Sequence, residues 1–284
     1  MKKKALLLWL IIPWLGGLLA EAGPVRVVSQ TVGTDELLLA VAEPSQIAAL
    51  SHFSRDPAFS AVSEAAKNFP QLDANCDLEG VLKYHPTVLL CADYSRAEAV
   101  TQARRAGLKV IVIDRYTTLE DSYASLRLIA KEIGPEAEAR AEKVIAECEV
   151  RVAKLSERLK GARPVRVIAP STYGVIPGGD TTFQDICEHC GAENLAFTLG
   201  RLRGHAAPPS EQMLKWPIER IVVVGGNIDA ALEPFRKISP YQFMAAVREN
   251  RAVLLEPSLL SCVTHHRVEA YEQLARELHP ERFE

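Results

Sequence analysis

The sequence predicts an α/β protein of two doubly wound, parallel-sheet lobes joined by a single long helix. Two observations carry that prediction. Short β-branched runs alternate with helical patterns in two separate blocks, as a parallel sheet with crossover helices requires. Between the blocks, residues 119–160 hold no strand signal at all. The first block reads Val25–Val28, a helical pattern over Thr34–Ala42, Thr87–Cys91, a helix over Ser95–Ala106, and Val110–Ile113. The second reads Val165–Ala169, a helix over Thr182–Cys190, Ile221–Val224, Ala252–Leu255, and a final helix near Val268–Leu278. The strandless stretch is rich in Ala, Glu, Arg and Leu and is interrupted only by Gly134-Pro135. It reads as one connecting helix or two abutting ones, because proline is tolerated in a first helical turn. The expected boundaries are 23–118 for the first lobe, 119–161 for the connection and 162–284 for the second lobe. A helical connection resists bending more than extended crossing strands do, so only small closure is expected.

Ahead of the first lobe stands a basic cluster, Lys2-Lys3-Lys4, and an apolar run from Ala5 to Leu19 broken by Pro13, Gly16 and Gly17. The run is shorter than the roughly 18 apolar residues of a membrane span, and Ala20-Glu21-Ala22 has the small-x-small form of a cleavage site. Residues 1–22 therefore read as a cleavable export signal. Removing 22 residues from 284 leaves 262, enough for two lobes. No cysteine follows the apolar run, so a soluble, unlipidated periplasmic protein is expected. All six cysteines (Cys76, Cys91, Cys148, Cys187, Cys190 and Cys262) lie beyond the signal, in a compartment that permits disulfides. Their spacing leaves the pairing open. The formal net charge of −3, without basic runs, argues against a nucleic-acid partner, since phosphate binding needs clustered Lys or Arg.

In open parallel sheets, ligands sit beyond the carboxyl ends of the strands. That rule places a ligand cleft between the lobes and selects its candidate residues. The first lobe presents Gln30, Thr31, Phe53, Arg55, Tyr94, Arg96, Arg115 and Tyr116 there. The second presents Tyr173, Asn227, His265, His266 and Arg267, with the loop Arg201–His205 at the rim. Rings stack, arginines pair with carboxylates, and His or Tyr coordinates iron, so the set suits a large planar or polyanionic metal chelate. His265 and His266 are the sharpest metal-ligand candidates, acting through the bound chelate. The Cys187-Glu188-His189-Cys190 spacing has the look of a redox or zinc motif, but its first cysteine falls inside a helical pattern. Structural cysteines, with one bridge involving Cys190, fit better. Gly178-Gly179 and Gly225-Gly226 follow strands without completing a nucleotide-binding pattern, and no nucleophile elbow or zinc-protease helix occurs.

These segments, taken in order, resemble the periplasmic binding proteins for iron-siderophores, haem and vitamin B12. The resemblance runs from Arg26–Ser29 and Thr34–Leu38, through Asp77-Leu78-Glu79 and Tyr84-His85-Pro86, to Gly107–Val110 and Gly191–Leu195. It closes on Pro240-Tyr241, Asn250–Val253 and Leu274–Pro280. It implies a non-enzymatic, monomeric carrier with no intrinsic cofactor, which binds an iron or cobalt chelate and hands it to an ABC permease dimer at the inner membrane. Glu79 and Glu211 fall where the family carries one acid per lobe that docks on permease arginines. The aromatic residue that B12 binders carry before Asp-Leu-Glu is matched by Asp73 or its neighbours, which points away from a corrinoid. Cys190 matches a cysteine bridged in some corrinoid binders, but the last helix lacks the partner. A zinc or manganese carrier is the second reading, with His52, His205, His265 and His266 as ligands. A chelatase or thiol oxidoreductase using His265, or Cys187 and Cys190, is the reading from another class.

Overall fold

The computed structural model describes residues 24–284. The export-signal reading of residues 1–22 lies outside the described residues. The first lobe runs β1 (Val27–Ser29), α1 (Val32–Val41), β2 (Ile47–Ala49), α2 (Ser63–Ala66), α3 (Leu78–Leu82), β3 (Val88–Ala92), α4 (Ala97–Arg105) and β4 (Lys109–Ile113). Its four strands pair in parallel in the order β2-β1-β3-β4. Strands β1 and β3 are buried throughout, which is why they read as continuous Val/Leu runs and not as alternating ones.

Two helices then follow: α5 (Leu119–Ile133) and α6 (Pro135–Arg158). The break between them is local. Gly134 sits at φ 135°, a conformation that side chains resist, and Pro135 opens α6 where its missing N–H costs nothing. Of the two forms the sequence allows, the chain takes the abutting pair. The 24 residues of α6 make it about 36 Å long at about 1.5 Å per residue.

The second lobe runs β5 (Val165–Ile168), β6 (Ile176–Pro177), α7 (Thr182–Cys190), β7 (Ala192–Asn194), α8 (Leu195–Thr198), β8 (His205–Ala206), α9 (Ser210–Met213), β9 (Arg220–Val224), α10 (Ile228–Leu232), α11 (Ala245–Arg248), β10 (Ala252–Leu255), α12 (Pro257–Leu260) and α13 (Arg267–Leu278). Its main sheet is parallel in the order β10-β9-β5-β7, with β6 and β8 forming a small antiparallel flap. The architecture is the expected one: two parallel-sheet α/β lobes.

The core explains how the lobes are held. One apolar cluster takes in Val27, Leu90 and Ile113 of the first sheet, Leu126 and Ile145 of α5 and α6, and Val167, Val222 and Val253 of the second sheet. It continues into Phe183 and Ile186 of α7 and Tyr271 and Leu274 of α13. A hinge through that cluster would expose buried apolar surface at about 25 cal/mol per Å², so the lobes form a stiff frame.

The six cysteines are all unbridged, which corrects the expected bridge at Cys190. Cys187 and Cys190 are both buried on α7, and neither is bridged. Among the described residues no helix is long and apolar enough to cross a membrane.

Candidate functional site

The carboxyl ends of the strands build two half-cavities of about 480 Å³ each. In the first lobe, β1 delivers Gln30 and Thr31 into the turn that starts α1. Thr31 caps that helix, accepting from the Thr34 amide at 3.3 Å, while Thr34 Oγ1 accepts from the Thr31 amide at 3.2 Å. The chain after β2 delivers Ser51, His52 and Phe53, and the chain after β3 delivers Tyr94. Phe53 leans on Phe59, with ring centroids 4.6 Å apart. Phe53, Phe59 and Tyr94 are 42, 52 and 63 % exposed, so three aromatic side chains turned toward a cavity lack a covering partner.

The second half-cavity gathers Pro170–Tyr173 beyond β5, His205 on the flap, Ala230 and Ala231 of α10, and Phe235. Tyr173 is 90 % exposed at its mouth. The two halves share Ser261, just beyond α12. They meet at the base through a close approach of the lobes: a Cβ on Gly33 of α1 would lie 2.5 Å from Val263 Cγ2. Any larger residue there would have to displace the Val263 side chain.

Beneath the first half-cavity lie two buried acids of α1. Asp35 accepts from the Ser51 amide and hydroxyl, and burial pushes its carboxyl up to about 7. Glu36 lines the cavity floor, and its Oε1 accepts from the Ala61 amide at 2.9 Å. Its Oε2 accepts from the Thr264 hydroxyl at 2.6 Å, across the lobe junction. Burial also raises the Glu36 carboxyl, against the opposing pull of His266.

Of the residues expected from the sequence, Gln30, Thr31, Phe53 and Tyr94 line the first half-cavity and Tyr173 the second. Arg96 borders a side cavity of about 140 Å³ that shares Gln30 and His52 with the first half. Tyr116 stands behind Tyr94, edge to face at 6.2 Å, and donates its hydroxyl to Asp93. The remaining expected residues are not among the linings of the two half-cavities. Arg55 donates to the Phe69 carbonyl at 2.6 Å, and Arg115 pairs with Asp121 at 2.8 Å; neither lines the cleft. Asn227 caps α10, with Oδ1 accepting from the Ala230 amide. Arg267 is fully buried, its guanidinium held by Asp185 and by the carbonyls of Tyr116, Thr117 and Cys262.

The histidine pair also lies away from the cleft. His265 and His266 belong to the start of α13, below the helical turn α12 that separates them from the end of β10. His266 Nδ1 meets Glu269 at 2.9 Å; burial pulls its pKa down, but Glu269 and Glu36 outweigh burial and raise it overall. His265 is buried with Nδ1 unpartnered, and burial lowers it to about 3, with His266 pressing the same way. A histidine whose folded pKa is depressed contributes stability that is present above its unfolded value and lost as pH falls. His265 is therefore expected to destabilise the fold progressively from about pH 6.5 toward pH 3. His265→Phe, which needs no partner for Nδ1, should flatten that part of the stability profile in urea melts at stepped pH. An unchanged slope would refute the assignment.

Thiol chemistry is opposed by the surroundings. Burial pushes Cys91, Cys190 and Cys262 up to about 12 and Cys187 well above its usual range, so thiolate is scarce at neutral pH. Among the described residues, no three His, Cys, Asp or Glu side chains converge as a bare-metal site.

A rigid pair of α/β lobes with an aromatic-walled cleft at their strand ends is the architecture of a solute-binding protein. The family model described as periplasmic binding protein matches residues 27–259, and the chain belongs to that family. A curated relative, the Bacillus subtilis uncharacterized ABC transporter substrate-binding lipoprotein YvrC, is 23 % identical over 220 residues, covering 74 % of this chain and 68 % of its own. Among solved structures, the periplasmic haem-binding protein RhuT of a Roseiflexus species, in apo form, superposes with a TM-score of 0.75 at 18 % identity, over 92 % of this chain and all of RhuT. A periplasmic haem-binding protein of Pseudomonas aeruginosa gives 0.75 at 21 % identity, covering 90 % and 93 % of the two chains. HutB, the periplasmic haem-binding protein of Vibrio cholerae, gives 0.73 at 21 %, covering 90 % and 99 %.

Proposed function

We propose that this chain is the capture component of an ABC importer for an iron or cobalt chelate of the siderophore, haem or corrinoid kind. The observation that carries the reading is the pair of half-cavities sharing Ser261, each about 480 Å³ and each with an exposed tyrosine at its mouth. Together they suit a bulky, flat-faced ligand, while a bare ion would rattle between walls that offer no converging ligand set. The names of the structural neighbours point the same way. Within this reading the iron-facing candidates are Tyr94 and His52 on one side and Tyr173 and His205 on the other; His265 and His266 act structurally. The protein works outside the cytoplasm as a monomer, released from a cleaved leader, and catalyses nothing. Absorbance and fluorescence titrations with haemin, a ferric siderophore and cobalamin test it. Saturation by one class at about one ligand per chain is expected, and tight binding of free zinc or manganese alone would overturn it.

Delivery to a permease dimer gives Glu79 and Glu211 their role. Glu79 stands in the first turn of α3, whose cap Asp77 accepts from the Gly80 amide; Glu211 stands in the first turn of α9. Both side chains belong to exposed residues, one per lobe, and the stiff frame fixes their separation. As helix-terminus acids alone they are worth about 0.3–1 kcal/mol each. As docking acids they steer and register the carrier on basic permease patches. Glu79→Lys with Glu211→Lys is expected to keep ligand affinity and lose most uptake by the reconstituted transporter. Undiminished uptake by the folded double variant would remove the docking role.

A further inference from the structure

The charge of the cleft narrows the ligand further than its size does. Neither half-cavity has an arginine or lysine among its described lining residues. Four basic side chains near the strand ends have partners outside the linings: Arg55 the Phe69 carbonyl, Arg115 the Asp121 carboxylate, Arg203 the Asp180 carboxylate at the flap, and Arg267 the interior. Arg96 borders the small side cavity, with Asp73 on the same lining. Among the described lining residues Glu36 is the one carboxylic acid. Each of its oxygens already accepts a hydrogen bond, one from the Ala61 amide and one from the Thr264 hydroxyl, and it adds no positive charge to the cleft.

We infer that the cleft selects a chelate of zero net charge, such as a ferric ion balanced by three hydroxamates, and rejects polyanionic chelates of the same size. The inference rests on the chelate reading above and deepens it. The reason is desolvation: a multiply charged anion entering an aromatic cleft gives up its water, and without fixed cations nothing replaces it. A charge-balanced complex loses little hydration and gains stacking against Phe53, Phe59, Tyr94 and Tyr173. A single peripheral carboxylate is tolerated, because the side cavity lets it reach Arg96. Of the two ligand kinds the sequence suggests, planar or polyanionic, this inference favours the first.

The test compares a neutral ferric tris-hydroxamate with a trianionic ferric tris-catecholate by tryptophan and tyrosine fluorescence quenching, at low and high ionic strength. The neutral chelate is expected to bind at least about a hundredfold more tightly, which is a gap of about 2.8 kcal/mol. Ser261→Arg places a cation at the exposed position both halves share, and it should narrow the ratio between the two chelates by about tenfold. A trianion bound by the unaltered protein as tightly as the neutral chelate, or a ratio that Ser261→Arg leaves unmoved, would overturn the charge inference while leaving the chelate reading standing. Failure of both chelates together with haemin and cobalamin would overturn the chelate reading and this inference with it.

Discussion

Replacing Arg267 with alanine is expected to destabilise the fold by about 3–5 kcal/mol, the cost of stranding a buried charge partner. Arg267 is fully buried on α13, and Asp185 of α7 lies 2.9 Å from Nη1. Tyr271 donates its hydroxyl to the same carboxylate. The guanidinium also closes the carbonyls of Tyr116 and Thr117, where the first lobe passes into α5. One side chain thus neutralises an interior acid and staples the second lobe to the end of the first. For a chain of this length the loss corresponds to a fall in Tm on the order of 10 °C. The double variant Arg267→Met with Asp185→Leu should recover part of it, since an apolar pair of similar volume leaves no orphaned charge. Urea denaturation gives both numbers. A loss below about 1 kcal/mol for Arg267→Ala would contradict the staple and reopen a ligand role for this arginine.

The second large effect falls on binding. Tyr94→Ala and Tyr173→Ala should each weaken chelate binding by about tenfold to a hundredfold, or about 1.4–2.8 kcal/mol. Both rings are exposed, so stability should stay within about 0.5 kcal/mol of the parent. Phenylalanine substitutions separate two modes. A ring that only stacks keeps its affinity as Phe, whereas a phenolate that coordinates iron loses it and shifts the visible spectrum. His265→Ala and His266→Ala should leave that spectrum unmoved. Unweakened binding in both tyrosine-to-alanine variants would place the ligand outside this cleft.

The fold was legible because buried parallel strands are nearly continuous β-branched runs. Thr87–Cys91 and Ile221–Val224 carry that pattern and stand as β3 and β9. Gly134-Pro135 marked the break between α5 and α6 for the same local reason. The first half of the cleft was legible too, since each of β1, β2 and β3 passes directly into its loop. What the second lobe adds after β10 was not. The chain after β10 makes one helical turn, Pro257–Leu260, before reaching the histidines. Reading His265–Arg267 as the strand end skipped that turn and missed Ser258, Ser261 and Cys262, which line the cleft. Pro257, two residues beyond the last β-branched or leucine position of the strand, was the available signal, because proline favours a first helical turn. Glu36 was hidden differently. A glutamate in a helical pattern reads as a solvated face, and only the packing of Thr264 and Ala61 against it makes it a cavity floor. The partners of Arg55, Arg115 and Arg267 were not legible, because nothing in a sequence tells which carbonyl or carboxylate will occupy a guanidinium.

The most direct test of the central claim is a structure of the protein crystallised with the chelate that saturates it. The account predicts one ligand between the strand ends of the two lobes, touching Tyr94 and Phe53 on one side and Tyr173 on the other, with the lobes shifted little from their present arrangement. A ligand at His265 and His266, or one held by a single lobe remote from Ser261, would contradict it.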